Sequence, residues 1–206
     1  MDKVPENTTY ARLFRKIHHR VGKAIHEYQL ISEGDTIAIG LSGGKDSLSL
    51  LDILSGRIKY SGVNFQLAAI HVNITSIPYL VDIGYLKQFC EEREVPFYLI
   101  EADLPETEND RRNTCFVCSW NRRKILFREI QKMGFSKLAL GHHKDDAVET
   151  LLMNMAFQGS ISSMPPKLKL FGEKIEIIRP LITLNNETDR VCAQKRLFSG
   201  NKEMSF

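Results

Sequence analysis

No stretch of this 206-residue chain approaches the eighteen or so consecutive apolar residues of a membrane span, and Met1 to Tyr10 holds no apolar signal region. A cytoplasmic protein with no membrane partner is therefore expected. Cysteine is scarce: Cys90, Cys115, Cys118 and Cys192 are too few and too unevenly spaced for a disulfide scaffold, so in a reducing compartment they are core, metal-binding or reactive residues. Internal repeats and low-complexity segments are absent. Two well-known phosphate loops are missing as well, because Lys45 is followed by Asp46 where a Walker loop needs Ser or Thr, and no Gly-x-Gly-x-x-Gly occurs.

What is present suffices for a core: 43% of residues are hydrophobic, and the length fits one domain with a helical appendage. We divide the chain into an N-terminal helical segment (1–30), a nucleotide-binding domain (31–182) and a C-terminal helical tail (183–206). Net charge is only +3, but its distribution is uneven. Arg111, Arg112, Arg122, Arg123, Lys124, Arg128, Lys132 and Lys137 face only Glu129 across one stretch, and the first 28 residues are also basic. Each run is either a solvated helix face or an RNA-binding surface.

The most informative segment is Ser42-Gly43-Gly44-Lys45-Asp46-Ser47. Before it, Asp35 to Leu41 is short, β-branched and apolar, as a buried parallel strand requires; after it, Leu48, Leu50, Leu51, Ile53 and Leu54 form a helical run. The two glycines let the backbone turn and approach a ligand, while the new helix points free N–H groups at the loop. An anion belongs there. Ser42 and Ser47 add hydroxyls and Lys45 a positive charge; Asp46, an acid in a phosphate site, makes sense as a Mg²⁺ ligand. The bland alternative is a Gly-rich turn with chance polar residues.

Around this loop, strands and helices alternate. Helices are expected at Tyr10 to Tyr28, Ser47 to Ile58, Tyr79 to Arg93, Trp120 to Met133 and Asp145 to Phe157. Strands are expected at Thr36 to Gly40, Phe65 to Asn73, Pro96 to Ile100 and Lys137 to Leu140, and a hairpin over Leu168 to Ile178 turns at Gly172-Glu173. The tail is moderately helical from Glu187 to Leu197. The pattern implies an α/β fold, a parallel twisted sheet with helices on both faces, with ligands at the carboxyl ends of the strands.

Two further groups carry chemistry. Gly141-His142-His143-Lys144-Asp145-Asp146 follows a strand and opens a helix. One of the aspartates serves as a cap, and the cluster as a whole suits a nucleotide or Mg²⁺. Cys115-Phe116-Val117-Cys118 is placed in a loop just before the helix starting near Trp120, where the helix end and neighbouring arginines favour thiolates. No second Cys-x-x-Cys or paired-His motif completes a zinc site. An iron-sulfur cluster and a persulfide-carrying dithiol both remain open, as does an incidental pair. Cys90 is placed in helical packing.

Ser-Gly-Gly-Lys-Asp-Ser is similar to the PP-loop of the ATP pyrophosphatases. Followed in order by Cys115-x-x-Cys118, Arg122-Arg123, Gly141-His142-His143-x-Asp145-Asp146, Met164-Pro165-Pro166 and Arg179-Pro180-Leu181, it resembles the tRNA 2-thiocytidine synthetase family over roughly Tyr10 to Leu181. The resemblance implies an adenine nucleotide alpha hydrolase-like fold and an ATP-dependent tRNA sulfurtransferase. ATP would adenylate the C2 oxygen of an anticodon-loop cytidine, and sulfur would displace AMP.

Carried over by position, Ser42, Gly43, Gly44, Lys45, Asp46 and Ser47 would bind ATP with Mg²⁺ on Asp46. Gly141, His142, Asp145 and Asp146 would line the other side, with His71 and Asn73 near the adenosine. Asp46, Cys115 and Cys118 would be the catalytic residues, the two cysteines holding a 4Fe-4S cluster. In the family the third cluster ligand lies after a further helix beyond Arg-Pro-Leu, and Cys192 falls within that helix. Cys192 substitutes, another residue or a partner chain supplies the ligand, or the chain does not thiolate.

Arg111, Arg112, Arg122, Arg123 and Lys124 would meet tRNA phosphates, so binding should weaken with salt, and Trp120, Phe116 or Tyr10 would stack on a splayed base. A sulfur donor such as a cysteine desulfurase is implied, and a homodimer is compatible. Two other classes are weighed beside this one: an adenylating enzyme of the lysidine or small-molecule amidating type, and a non-catalytic nucleotide-binding module. The cysteines with their arginines argue against the former, and the three aspartates against the latter.

Overall fold

The computed structural model describes residues 9–58, 62–75, 81–103, 114–170 and 175–185. The elements are α1 (Thr9–Glu27), β1 (Thr36–Gly40), α2 (Lys45–Ile58), β2 (Gln66–Ile74), α3 (Ile83–Glu91), β3 (Phe97–Ala102), α4 (Thr114–Lys132), β4 (Lys137–Ala139), α5 (Lys144–Gln158), β5 (Lys167–Leu170) and β6 (Ile175–Ile178). They build one six-stranded sheet in the order β3-β2-β1-β4-β6-β5. All neighbours run parallel except β5 and β6, the antiparallel pair expected of the hairpin. Gly172 and Glu173, its expected turn, lie outside the described residues, as do Glu187 to Leu197.

Strand alternation divides the core. Ile37, Ile39, Leu67 and Ala69 point to one face, where they pack with Ile17 and Val21 of α1, Leu50, Leu51 and Leu54 of α2, and Leu86 and Cys90 of α3. Ala38, Ile70, Val72 and Leu138 point to the other and meet Leu126 and Ile130 of α4. Helices thus cover both faces, and β1 is buried from both sides: Ile37, Ala38 and Ile39 are wholly inaccessible. Cys90 is buried as expected, and burial pushes its thiol up to about 11, which makes it inert packing. Among the described residues, no helix is long and apolar enough to cross a membrane.

Helix boundaries differ from expectation in three places. α4 starts at Thr114, so Cys115 and Cys118 lie in its opening turns and not in a preceding loop; Thr114 to Ser119 contains no Gly or Pro to stop the helix. α3 starts at Ile83, because the Asp82 carboxylate caps it by accepting from the Tyr85 N–H at 2.9 Å. α2 opens two residues early, at Lys45, which puts Asp46 in its first turn.

The amino edge of the sheet is closed by one buried cation. Lys137 Nζ lies 2.7 Å from Asp35 Oδ2 and 3.2 Å from Glu176 Oε2, and donates to the Leu30 carbonyl at 2.9 Å. It ties the entries of β1, β4 and β6 together. Lys137→Ala removes the cation between Asp35 and Glu176, leaving Lys167 at 3.3 Å to Glu176 and the Ser32 N–H to Asp35, and should destabilise the fold by about 3 kcal/mol, read as a lower urea midpoint at unchanged slope.

Candidate active site

After β1 leaves the sheet, the chain reverses over Ser42 to Ser47. Gly43 adopts φ +86°, a left-handed conformation that side chains resist, and a Cβ there would sit 2.9 Å from Val81 Cγ1. The serines then brace the turn. Ser47 Oγ donates to the Gly44 carbonyl at 2.9 Å and accepts from the Ser42 N–H at 3.2 Å, while Ser42 Oγ lies 3.1 Å from Ser47 Oγ and accepts from the Gly44 N–H at 3.3 Å. The opening N–H groups of α2 lack intrahelical acceptors and face the turn, a ready anion site. Lys45 Nζ is 3.8 Å from Asp46 Oδ2 with both side chains partly exposed, a weak pair.

His71 lies beneath the loop. Its ring is buried and its Nδ1–H donates to the Leu41 carbonyl at 2.6 Å, so it holds the loop's first residue in place. Burial lowers its pKa and the nearby Arg122 guanidinium adds to that, so the ring stays neutral. Asn73, half-buried, sits two residues further along β2.

The loop after β4 comes to the same place because β4 neighbours β1. A Cβ on Gly141 would lie 2.9 Å from the Asp46 carbonyl carbon and 3.0 Å from the Ser47 nitrogen. Only glycine permits this backbone contact. From there the chain enters α5, whose N-cap is His143; of the two expected aspartates, Asp146 takes part as the acidic member of a capping box and Asp145 does not. The His143 ring accepts from the Asp145 N–H at 3.2 Å, and Asp146 Oδ2 accepts from the His143 N–H at 2.7 Å, which closes a capping box. Asp145 Oδ2 is buried 3.6 Å from His143 Nδ1, without a hydrogen-bond partner among the described residues.

Beside these loops lies a cationic flank that the sequence revealed in part. His142 faces Arg179 and Arg123; burial, followed by these two guanidiniums, pushes its imidazole down to about 4 against the pull of Asp146. Arg179, quoted in the sequence motif without a role, is 7% exposed and stands at the carboxyl end of β6. Its Nη1 donates to the Pro165 carbonyl at 2.6 Å. Among the described residues, Arg179 Nε, His142 Nδ1 and Thr183 Oγ1 are buried with no hydrogen-bond partner. Buried polar atoms left open at a strand edge mark where a ligand completes the structure. The recoverable signal for Arg179 was an arginine directly after a short apolar strand.

Lys124 is exposed and Arg122 half-buried on α4, and Trp120 is 58% exposed beside them. Arg111, Arg112 and Cys192 lie outside the described residues; for Tyr10, Cys115, Phe116 and Cys118 only the backbone is described. Among the described residues no group of three or more His, Cys, Asp or Glu is arranged to hold a metal ion.

The switch point falls between β1 and β4. From β1 the chain moves outward to β2 and β3, then returns through α4 to β4 and continues the other way, which opens a crevice between the two loops at the carboxyl edge. A family model for the PP-loop domain matches residues 13–197. The chain belongs to the PP-loop family.

Curated relatives are identical to this chain at about a third of the aligned positions. A tRNA-cytidine(32) 2-sulfurtransferase of Acinetobacter baumannii is 34% identical over 200 residues, covering 95% of this chain and 66% of the relative. One from Shewanella loihica is 38% identical over 178 residues, covering 84% and 56%. The chain thus spans less than two thirds of the length of these relatives. Among solved structures, the U34-tRNA thiolase NcsA from Methanococcus maripaludis with its [4Fe-4S] cluster superposes with a TM-score of 0.72 at 27% identity, covering 89% of this chain and 64% of that one. NAD+ synthetase from Burkholderia pseudomallei shares the fold at a TM-score of 0.52 and 15% identity, covering 97% and 71%.

Two predictions follow from the PP-loop geometry. Gly141→Ala must push the two loops apart and should weaken ATP binding about tenfold or more while leaving the far-UV spectrum unchanged, measured by calorimetric titration. His142 has a folded pKa near 4 and an ordinary value of 6.5. Its contribution to stability is complete above pH 6.5 and is lost as pH falls toward 4, because the unfolded chain takes up the proton first. Urea melts from pH 7 to pH 4.5 should show a loss on the order of 2 kcal/mol that His142→Gln removes.

Proposed function

We propose that this chain uses ATP to activate the C2 carbonyl oxygen of a cytidine in a tRNA anticodon loop and replaces that oxygen with sulfur. The observation that carries the proposal is the crevice itself: a braced anion loop at a helix N-terminus, in backbone contact with Gly141, flanked by Arg123, Arg179 and a neutral His142 with open polar atoms. Such a site holds a polyphosphate on one side and a second anionic or carbonyl-bearing group on the other. The activities in the names of the curated relatives, and of the thiolase neighbour, support tRNA as the acceptor and sulfur as the incoming atom.

The carbonyl oxygen attacks the α-phosphorus of ATP, the bond to the bridging oxygen breaks, and pyrophosphate leaves. Oxygen is thereby converted from a poor leaving group into part of AMP. Loop amides, Ser42, Ser47 and Lys45 stabilise the charge growing on pyrophosphate, which they already face before the reaction. Asp46, in the first turn of α2 and partly exposed, has the chemistry to hold Mg²⁺, whose charge would offset that of the phosphates. A sulfur nucleophile then adds at C2 and AMP departs with the original oxygen.

Cys115 and Cys118, three residues apart in the opening turns of α4, are the proposed ligands of a 4Fe-4S cluster that would supply this sulfur. Support comes from their spacing and from the cluster named in the thiolase neighbour. Arg122, Arg123 and Lys124 follow on the same helix and would guide the RNA phosphates, with Trp120 available for stacking. A cysteine desulfurase is the expected class of sulfur donor.

Anaerobic protein reconstituted with iron and sulfide, incubated with ATP, Mg²⁺ and unmodified tRNA, should release pyrophosphate and yield a thiolated cytidine by mass spectrometry. Pyrophosphate without thiolated nucleoside, in protein shown to carry a cluster, would overturn sulfur transfer and favour another adenylating activity. Asp46→Asn should cut pyrophosphate release by at least about a hundredfold, and Cys115→Ala should abolish thiolation while ATP binding persists.

A further inference from the structure

α1 carries charge of one sign along almost its whole length. Between Thr9 and His26 it holds Arg12, Arg15, Lys16, Arg20 and Lys23 and no Asp or Glu, and its first turn lacks the acid that a helix start favours. Like charges three or four residues apart, Arg12 with Arg15 and Lys16, Lys16 with Arg20, and Arg20 with Lys23, repel one another along the helix. Other helices of the chain set opposite charges at such spacings: Lys87 meets Glu91 on α3, and Lys132 meets Glu129 on α4. Nothing between Thr9 and His26 on α1 itself offsets the repulsion.

The charges share one face. At about 100° per residue, Arg12, Lys16, His19, Lys23 and His26 fall within an arc of roughly 80°, and all five are exposed. Ile17, Val21 and Ala24 lie opposite, at 2% exposure or less, and the first two pack with Leu50, Leu51 and Leu54 of α2. Arg57, in the last turn of α2, donates from Nη2 to the His18 carbonyl and fastens the two helices. The stripe is therefore held outward by a rigid seat.

We infer that this stripe is a second contact for tRNA, taking backbone phosphates outside the crevice. The inference rests on the reading above in which tRNA is the acceptor. A helix that binds a bilayer lays an apolar side into the lipid, and here that side is committed to the core. An even row of cations without apolar surface suits the polyanionic backbone of a nucleic acid, bound by charge and not by base. Arg122, Arg123 and Lys124 belong to α4, which covers the other face of the sheet. RNA that touches both helices straddles the sheet, whose carboxyl edge holds the loop from Ser42 to Ser47.

Anisotropy titrations of unmodified tRNA with the full chain, from about 50 to 200 mM salt, test this. The triple variant Arg12→Gln, Lys16→Gln, Lys23→Gln should weaken binding at least about thirtyfold near 100 mM salt and lower the slope of log K against log salt by about 2 to 3, with ATP affinity and the far-UV spectrum unchanged. The charge-preserving set Arg12→Lys, Lys16→Arg, Lys23→Arg should bind as the unaltered chain does, and so should Lys87→Gln. Binding that keeps its strength and slope in the triple variant overturns the inference and leaves the tRNA reading standing. Failure of the unaltered chain to bind tRNA overturns that reading, and the inference with it. A triple variant that holds tRNA but no longer binds phosphatidylserine vesicles that the unaltered chain binds overturns the inference and assigns the stripe to a membrane surface.

Discussion

The contact between Gly141 and the start of α2 is the constraint on which the site depends. Two polypeptide backbones meet there with no side chain between them, and a single added carbon would collide with the Asp46 carbonyl. Everything nearby is arranged to keep that contact. β1 and β4 are hydrogen-bonded neighbours, so both loops start from the same edge at fixed spacing. Gly43 turns the first loop, His71 holds it from below, and the His143–Asp146 box fixes the second.

The sheet separates work between its ends. At the amino edge, Lys137 is surrounded by Asp35, Glu176 and the Leu30 carbonyl, and its charge is fully answered. At the carboxyl edge, Arg179 and His142 keep polar atoms that nothing among the described residues answers. The first arrangement is a closed set whose role is cohesion. The second is an open set, and the proposed activity is placed there.

Much of this was legible in the residues because the chemistry left few alternatives. A strand buried on both faces must be apolar and a tight turn with a left-handed residue must be glycine-rich, so β1, Gly43 and Gly44 are readable from type and spacing. Other features depend on tertiary context. The cap of α5 is His143, an uncommon cap residue, and two aspartates beside it drew the expectation away. The start of α4 was hidden because Cys, Phe and Val are indifferent helix formers and only the absence of a breaker marks the region. Arg179 gains its role from facing His142, 37 positions earlier in the chain.

The hydroxyls of Ser42 and Ser47 hold one another and the loop's own amide and carbonyl groups. An arriving phosphate therefore exchanges one set of hydrogen bonds for another and does not order a slack segment, so little chain entropy is lost on binding. Selectivity must then come from charge. A neutral sugar or an amide that merely matched the bond count would gain nothing over the serines themselves, whereas each added phosphate charge gains from Lys45 and the helix end. In the proposed function the loop would thus count charge on a turn that its own hydrogen bonds already brace.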